Sequence, residues 1–126
     1  MKRVAGCVVL VGCIFLCAWV ESGQHRKPEK WYQDAWCLEH GGIEEVTFKN
    51  GTRCDCLTSE YAVEVEFGPK WAESIGQSLN YAVESGKKPG IVLILRDGDE
   101  RYAERIKAVV EKYRLPEKVW VIKESP

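Results

Sequence analysis

No excess of positive charge runs through this 126-residue chain, in which 18 Lys and Arg stand against 19 Asp and Glu for a net charge of −1. A phosphate backbone is normally met with Lys and Arg, so this balance counts against tight nonspecific wrapping of nucleic acid. Binding of that kind would need a local patch or a metal. There is also no internal repeat and no low-complexity tract, which sets aside repeat architectures and biased tails. Only one long uncharged apolar run is present, Val4 to Val20 (VAGCVVLVGCIFLCAWV). At 17 residues it sits at the short limit for spanning a bilayer.

Lys2 and Arg3 precede that run and Glu21 ends it, the layout of a secretory signal. Val20-Glu21-Ser22 has the small-residue spacing that a signal peptidase reads. Leu10-Val11-Gly12-Cys13 resembles a lipoprotein box, and an uncleaved anchor is a third reading. The expectation is export, to the periplasm or beyond, with membrane contact only through the leader or a lipid anchor. Residues 1–22 are then a leader, 23–30 a linker and 31–123 a single domain. Cleavage near Ser22 leaves 16 basic and 18 acidic residues, a net charge of −2.

The body carries only three cysteines, Cys37, Cys54 and Cys56, so in an oxidising compartment it closes one disulfide and leaves one thiol. Cys54 and Cys56 lie on one strand face and are too close in sequence to bridge easily. Cys37 therefore pairs with one of them, and Cys37–Cys54 is the expected bridge. A zinc site from Cys37, His40, Cys54 and Cys56 is the alternative, opposed by oxidation of exported thiols and by the poor chelate of Cys-X-Cys in a strand.

The patterning predicts a helix over Trp31–His40, stopped by Gly41-Gly42. Three antiparallel strands follow, near 43–49, 52–58 and 61–67, with Asn50-Gly51 as a hairpin turn and Ser59-Glu60 as the next loop. Trp71–Ser85 is a helix whose apolar stripe is Trp71, Ile75, Leu79, Ala82 and Val83. Ile91–Leu95 (IVLIL) shows no polar alternation, which fits a strand buried on both faces beside parallel neighbours. A helix over Glu100–Tyr113 and a strand over Val119–Ile122 complete a mixed α/β sheet flanked by helices.

The chemistry concentrates in RCDCLT…YAVEVEF. A two-residue loop at Ser59-Glu60 puts Asp55 opposite Glu64, and strand alternation puts Glu66 on the same face. Opposed carboxylates, with Cβ atoms roughly 5 Å apart, repel one another unless a cation lies between them. A hard divalent ion bound by oxygens suits them, and metal with strand carboxylates suggests phosphodiester chemistry. A solvated sheet face with an Arg53–Glu66 ion pair is the plain alternative. On the second helix Lys70, Gln77 and Tyr81 fall within about 40° of each other, opposite the apolar stripe.

Over roughly residues 31 to 122 this order resembles the PD-(D/E)XK nucleases, which have a restriction-endonuclease-like αβββαβ core. Asp55 stands for their aspartate and Glu64-Val65-Glu66 for the second element. Gln77-Ser78-Leu79-Asn80-Tyr81 has the Gln-X-X-X-Tyr form of RecB-like members. Glu39, or His40, stands where these enzymes carry an acid or histidine on the first helix. The resemblance implies Mg²⁺ or Mn²⁺ held by Asp55 and Glu64 with the Val65 carbonyl, and DNA as substrate. It also gives Gln77 and Tyr81 a positioning role. The signature lysine position is Glu66, and Lys70 is the substitute. A non-catalytic envelope or lipoprotein module of the same fold is the second reading.

Overall fold

A computed structural model describes residues 26–124, so the leader expected at 1–22 lies outside the described residues. Helix α1 spans Glu29–Glu39 and is followed by β1 (Ile43–Thr47), β2 (Arg53–Leu57) and β3 (Tyr61–Phe67). A 3-10 turn at Gly68–Lys70 leads into α2 (Trp71–Ser85), then β4 (Lys88–Leu95), α3 (Glu100–Tyr113) and β5 (Lys118–Lys123). Together these form a mixed α/β fold with one five-stranded sheet in the order β1-β2-β3-β4-β5 and three helices. Strands β1, β2 and β3 pair antiparallel, and β3-β4 and β4-β5 pair parallel. The unbroken apolar run of β4 needs cover on both faces. Val92 and Ile94 pack with Tyr32 and Trp36 of α1 on one side. Ile91, Leu93 and Leu95 pack with Trp71, Ile75 and Ile106 of α2 and α3 on the other.

Local chemistry sets the ends of the elements. Helix α2 ends on Gly86 at φ 68°, a left-handed cap whose N–H donates to the Ala82 carbonyl. Helix α1 starts at Glu29, inside the stretch expected to be linker, with Pro28 extended just before it. That position suits proline, which presets φ and lacks the N–H that a first turn leaves unpaired. The Asn50-Gly51 hairpin is wider than a two-residue turn. Thr47 pairs with Arg53, and Asn50 Oδ1 accepts the Thr52 N–H at 3.0 Å.

Two sequence expectations are corrected. The disulfide joins Cys37 to Cys56, with Cα atoms 5.7 Å apart, and not to Cys54. Cys56 faces α1, whereas Cys54 packs with Ala62 and Tyr81 under α2. The alternation between them is broken where Glu45, at φ 56°, leaves the β1-β2 ladder without a bridge at Glu45 and Asp55. With Cys37 and Cys56 joined, the four-ligand zinc alternative lapses. The second correction concerns α2. Its most buried face is Ser74, Ser78 and Tyr81, while Val83 is 81% exposed. β3 presents Glu64 and Glu66 to this helix, so small hydroxyl residues line the contact. Their hydroxyls donate to carbonyls one turn back, Ser74 to Trp71 and Ser78 to Ile75.

Gly42 follows α1 directly beside the disulfide. A Cβ there would collide with Sγ of both Cys56 and Cys37. Gly42→Ala is expected to hinder bridge closure and to cost roughly 2–5 kcal/mol, the usual loss for a missing native disulfide. Thiol alkylation followed by mass spectrometry, with a thermal melt, checks it. A fully bridged Gly42→Ala protein with unchanged melting would show that the backbone gives way there.

Candidate active site

The acids meet where β2 leaves β3. The β2-β3 ladder pairs Leu57 with Ala62 and Cys56 with Val63, the register expected from the sequence. Asp55 lies one residue further, and its Oδ2 accepts the Val65 N–H at 2.8 Å. Its own carbonyl accepts the Gln33 side-chain N–H at 3.0 Å. Gln33 is buried on α1, and the same amide donates to Glu45 Oε1 at 2.8 Å. A helix side chain thus takes the place of a ladder hydrogen bond and holds Asp55 toward the gap.

Glu64 lies in that gap, only 5% exposed, against Asp55 and the Tyr81 phenol. Its Oε2 is buried with no hydrogen-bond partner among the described residues. Burial, then the neighbouring Asp55, pushes the Glu64 carboxyl up to about 9. Asp55 is raised as well, chiefly by burial, with the Val65 amide opposing the shift. Tyr81 is driven up by burial and by Glu64. An orphaned carboxylate oxygen between a second acid and a phenol is a costly arrangement for an apolar interior.

Glu66 is 6% exposed; its Oε1 accepts the Phe67 N–H at 3.0 Å, and its Oε2 lies 3.9 Å from Lys70 Nζ. Lys70 therefore turns to the acids, and its contact is with Glu66. Arg53, considered above as the partner of Glu66, instead places Nε 2.7 Å from Glu45 Oε2. Glu29, at the start of α1, packs its carboxyl on Glu66. Burial, then Glu66 and Asp55, push Glu29 up to about 8.

The acid that the first helix brings here is thus Glu29, not Glu39. Ten residues separate them, about 15 Å along a helix. Glu39 is exposed and, like Trp31 and Trp36, lines a separate groove of about 780 Å³. His40 stacks on Trp36 with ring centroids 3.8 Å apart, also away from the acids. The signal for Glu29 was Pro28, a helix-start residue directly before an acid. Of the Gln-X-X-X-Tyr pair, Tyr81 reaches Glu64, while Gln77 Oε1 is buried without a hydrogen-bond partner among the described residues. Cys54, packed beside these residues, has its thiol pushed up to about 12 by burial.

This groove lies beside the acids, not over them. Its wall includes Phe67, just before the 3-10 turn that follows Glu66, and Pro69 within that turn. Lys27 lies 3.5 Å from the Trp31 ring centroid, and Arg96 lies 4.1 Å from that of Phe67.

Among the described residues no cluster of three or more acidic, histidine or cysteine side chains is set to hold a metal ion. Mg²⁺ does not require one, since it is commonly held by one or two carboxylates with waters and substrate phosphate oxygens. Asp55 with Glu64 meets that smaller demand, and the unpartnered Glu64 Oε2 is the donor such an ion would use. Among the described residues no helix is long and apolar enough to cross a membrane. No protein-family model, curated protein or solved structure matches the chain.

Proposed function

We propose that this chain is an exported, metal-dependent nuclease-like protein, with a restriction-endonuclease-like core, that hydrolyses DNA phosphodiester bonds. The observation that carries the reading is the Asp55–Glu64 pair at the parting of β2 and β3, with Asp55 pinned by the Val65 N–H and Glu64 Oε2 left without a partner. Asp55 and Glu64 would hold Mg²⁺ or Mn²⁺, with the Val65 carbonyl alongside. That ion would supply polarisation of the phosphate and activation of water. Tyr81 orients Glu64, and Gln33 keeps Asp55 at the opening. Lys70, 3.9 Å from Glu66 Oε2, offsets the charge of Glu66 and would be the cation to meet developing negative charge. Lys27 over Trp31 and Arg96 over Phe67 line the adjoining groove as cations on aromatic faces, a surface suited to a flanking nucleotide. The Cys37–Cys56 bridge fits the oxidising compartment that export provides.

The second reading is a non-catalytic module of the same fold. It is favoured by Glu66 standing at the signature lysine position, with Lys70 drawn to it. Incubating the protein with linear, circular and single-stranded DNA, with Mg²⁺, Mn²⁺ or EDTA, separates the two. The nuclease reading expects metal-dependent cutting that Lys70→Ala lowers by on the order of 10²-fold, the scale of a lost charge-stabilising group. Absence of cutting with either metal, from a folded protein, selects the non-catalytic module.

A further inference from the structure

Strand β5 ends the sheet and pairs with β4 only, so among the described residues its other edge is open. The Glu124 N–H donates to the Leu95 carbonyl, and Lys123 pairs with Leu95 in register. In a parallel strand the N–H and C=O of one residue point the same way and neighbours alternate. Even-numbered residues of β5 therefore bond to β4, and Val119, Val121 and Lys123 point their backbone groups outward. The side chains of Val119 and Val121 lie on the α3 face, and strand alternation assigns that of Lys123 to the same face, at the sheet end where Lys123 also borders the groove beneath α1. On the α3 face Ala103, Ile106 and Val110 form with Val119 and Val121 an apolar groove of about 390 Å³. Val121 is 46% exposed.

Glu117 sits at the start of this edge and lines the same groove. It is 7% exposed, and neither carboxylate oxygen has a hydrogen-bond partner among the described residues. A buried carboxylate left this way is costly, and a cation brought to it would remove the cost. No segment among the described residues supplies one. Lys123, at the far end of the same edge, forms no ion pair among the described residues.

We infer that β5 pairs antiparallel with β5 of a second copy about a two-fold axis through Trp120, joining the two sheets and placing Glu117 of each copy against Lys123 of the other. The register follows from geometry. Only residues of like parity have outward backbone groups, so the two-fold axis passes through a residue and not between two. With the axis at Trp120, Val119 faces the second copy's Val121 and Glu117 faces its Lys123, both as hydrogen-bonded pairs. With the axis at Val119, Glu117 meets a valine; at Val121, Lys123 meets one. Only the Trp120 register satisfies Glu117, and it does so twice. It also brings the two α3 grooves side by side, covering Val119 and Val121.

Sedimentation equilibrium of the full chain tests this directly. A concentration-dependent dimer is expected for the unaltered protein. Lys123→Glu and Glu117→Lys should each weaken it at least about tenfold, and the double variant Glu117→Lys/Lys123→Glu should restore it to within about threefold. Val121→Pro removes an outward N–H without touching the β4 ladder, so it should give a folded monomer by circular dichroism. Should a charge variant fail to fold, amide exchange of the unaltered protein decides, with Val119 and Val121 protected in step with the dimer fraction. A monomer at every concentration, a dimer indifferent to Lys123→Glu, or freely exchanging Val119 and Val121 amides would each overturn the inference.

Discussion

Asp55→Asn is expected to lower metal-dependent DNA cleavage by on the order of 10³-fold, the scale seen when a central charged group of an active site is removed. The change is nearly isosteric. An asparagine carbonyl still accepts the Val65 N–H that Asp55 Oδ2 takes at 2.8 Å, so the local backbone is kept. What disappears is the charge that would hold the ion. Millimolar Mn²⁺ should raise the melting temperature of the unaltered protein, because a ligand bound only by the folded state stabilises it. Saturation at about 100 times Kd corresponds to roughly 2.7 kcal/mol. That rise should vanish in Asp55→Asn, while its melting in EDTA is unchanged or slightly higher, since one member of a repelling pair has been neutralised. Calorimetry with EDTA and with Mn²⁺, beside a cleavage assay, measures both effects. A metal-induced rise that survives Asp55→Asn would place the ion elsewhere.

The second large effect is on stability and belongs to Glu64. Its folded-state carboxyl is raised to about 9 from 4.5, first by burial and then by Asp55. The folded protein therefore keeps a proton that the unfolded chain has already released. Stability is highest below the unfolded value and falls as pH rises from about 4.5 toward 9. Glu29, raised to about 8, and Asp55 act in the same direction. Glu64→Gln supplies the neutral shape permanently, since its amide can donate to Asp55 and its carbonyl can accept from Tyr81. At pH 8.5 without metal it should gain roughly 2 to 4 kcal/mol, on the order of 10 °C in melting temperature, and at pH 4.5 almost nothing. Urea titrations at the two pH values test this. An equal gain at both would assign the effect to packing, not to the carboxylate's proton. The same variant should lose Mn²⁺ stabilisation, so the acid pair is a liability for the empty fold and an asset only with a cation present.

Much of the scaffold was legible in the residues. Trp71–Ser85, Tyr61–Phe67 and Glu100–Tyr113 come out with the boundaries their patterns predict. The parallel central strand follows from IVLIL, since a run with no polar alternation needs two covered faces. The β2-β3 register follows from a two-residue loop, and it brings Asp55 near Glu64. These are local rules, set by periodicity, turn length and helix capping.

How helices meet the sheet, and which residues far apart in sequence come together, needed the tertiary structure. Cys37 bonds Cys56, not Cys54, because the β1-β2 ladder lapses at Glu45 and Asp55 and the two cysteines of β2 end on opposite faces, Cys56 toward α1. Gln33, an ordinary polar residue in sequence, becomes the donor that holds Asp55 once α1 crosses the strands. Glu29 supplies the helix acid in place of Glu39 because the N-terminal end of α1, not its C-terminal end, reaches the opening. The seat of α2 shows the limit most clearly. Its apolar stripe predicts one buried face, yet the strand beneath presents Glu64 and Glu66, so Ser74, Ser78 and Tyr81 turn inward and Val83 faces water. A sequence determines which face of an element is apolar. Which face is buried depends on the chemistry of the surface it meets, and that surface exists only after folding.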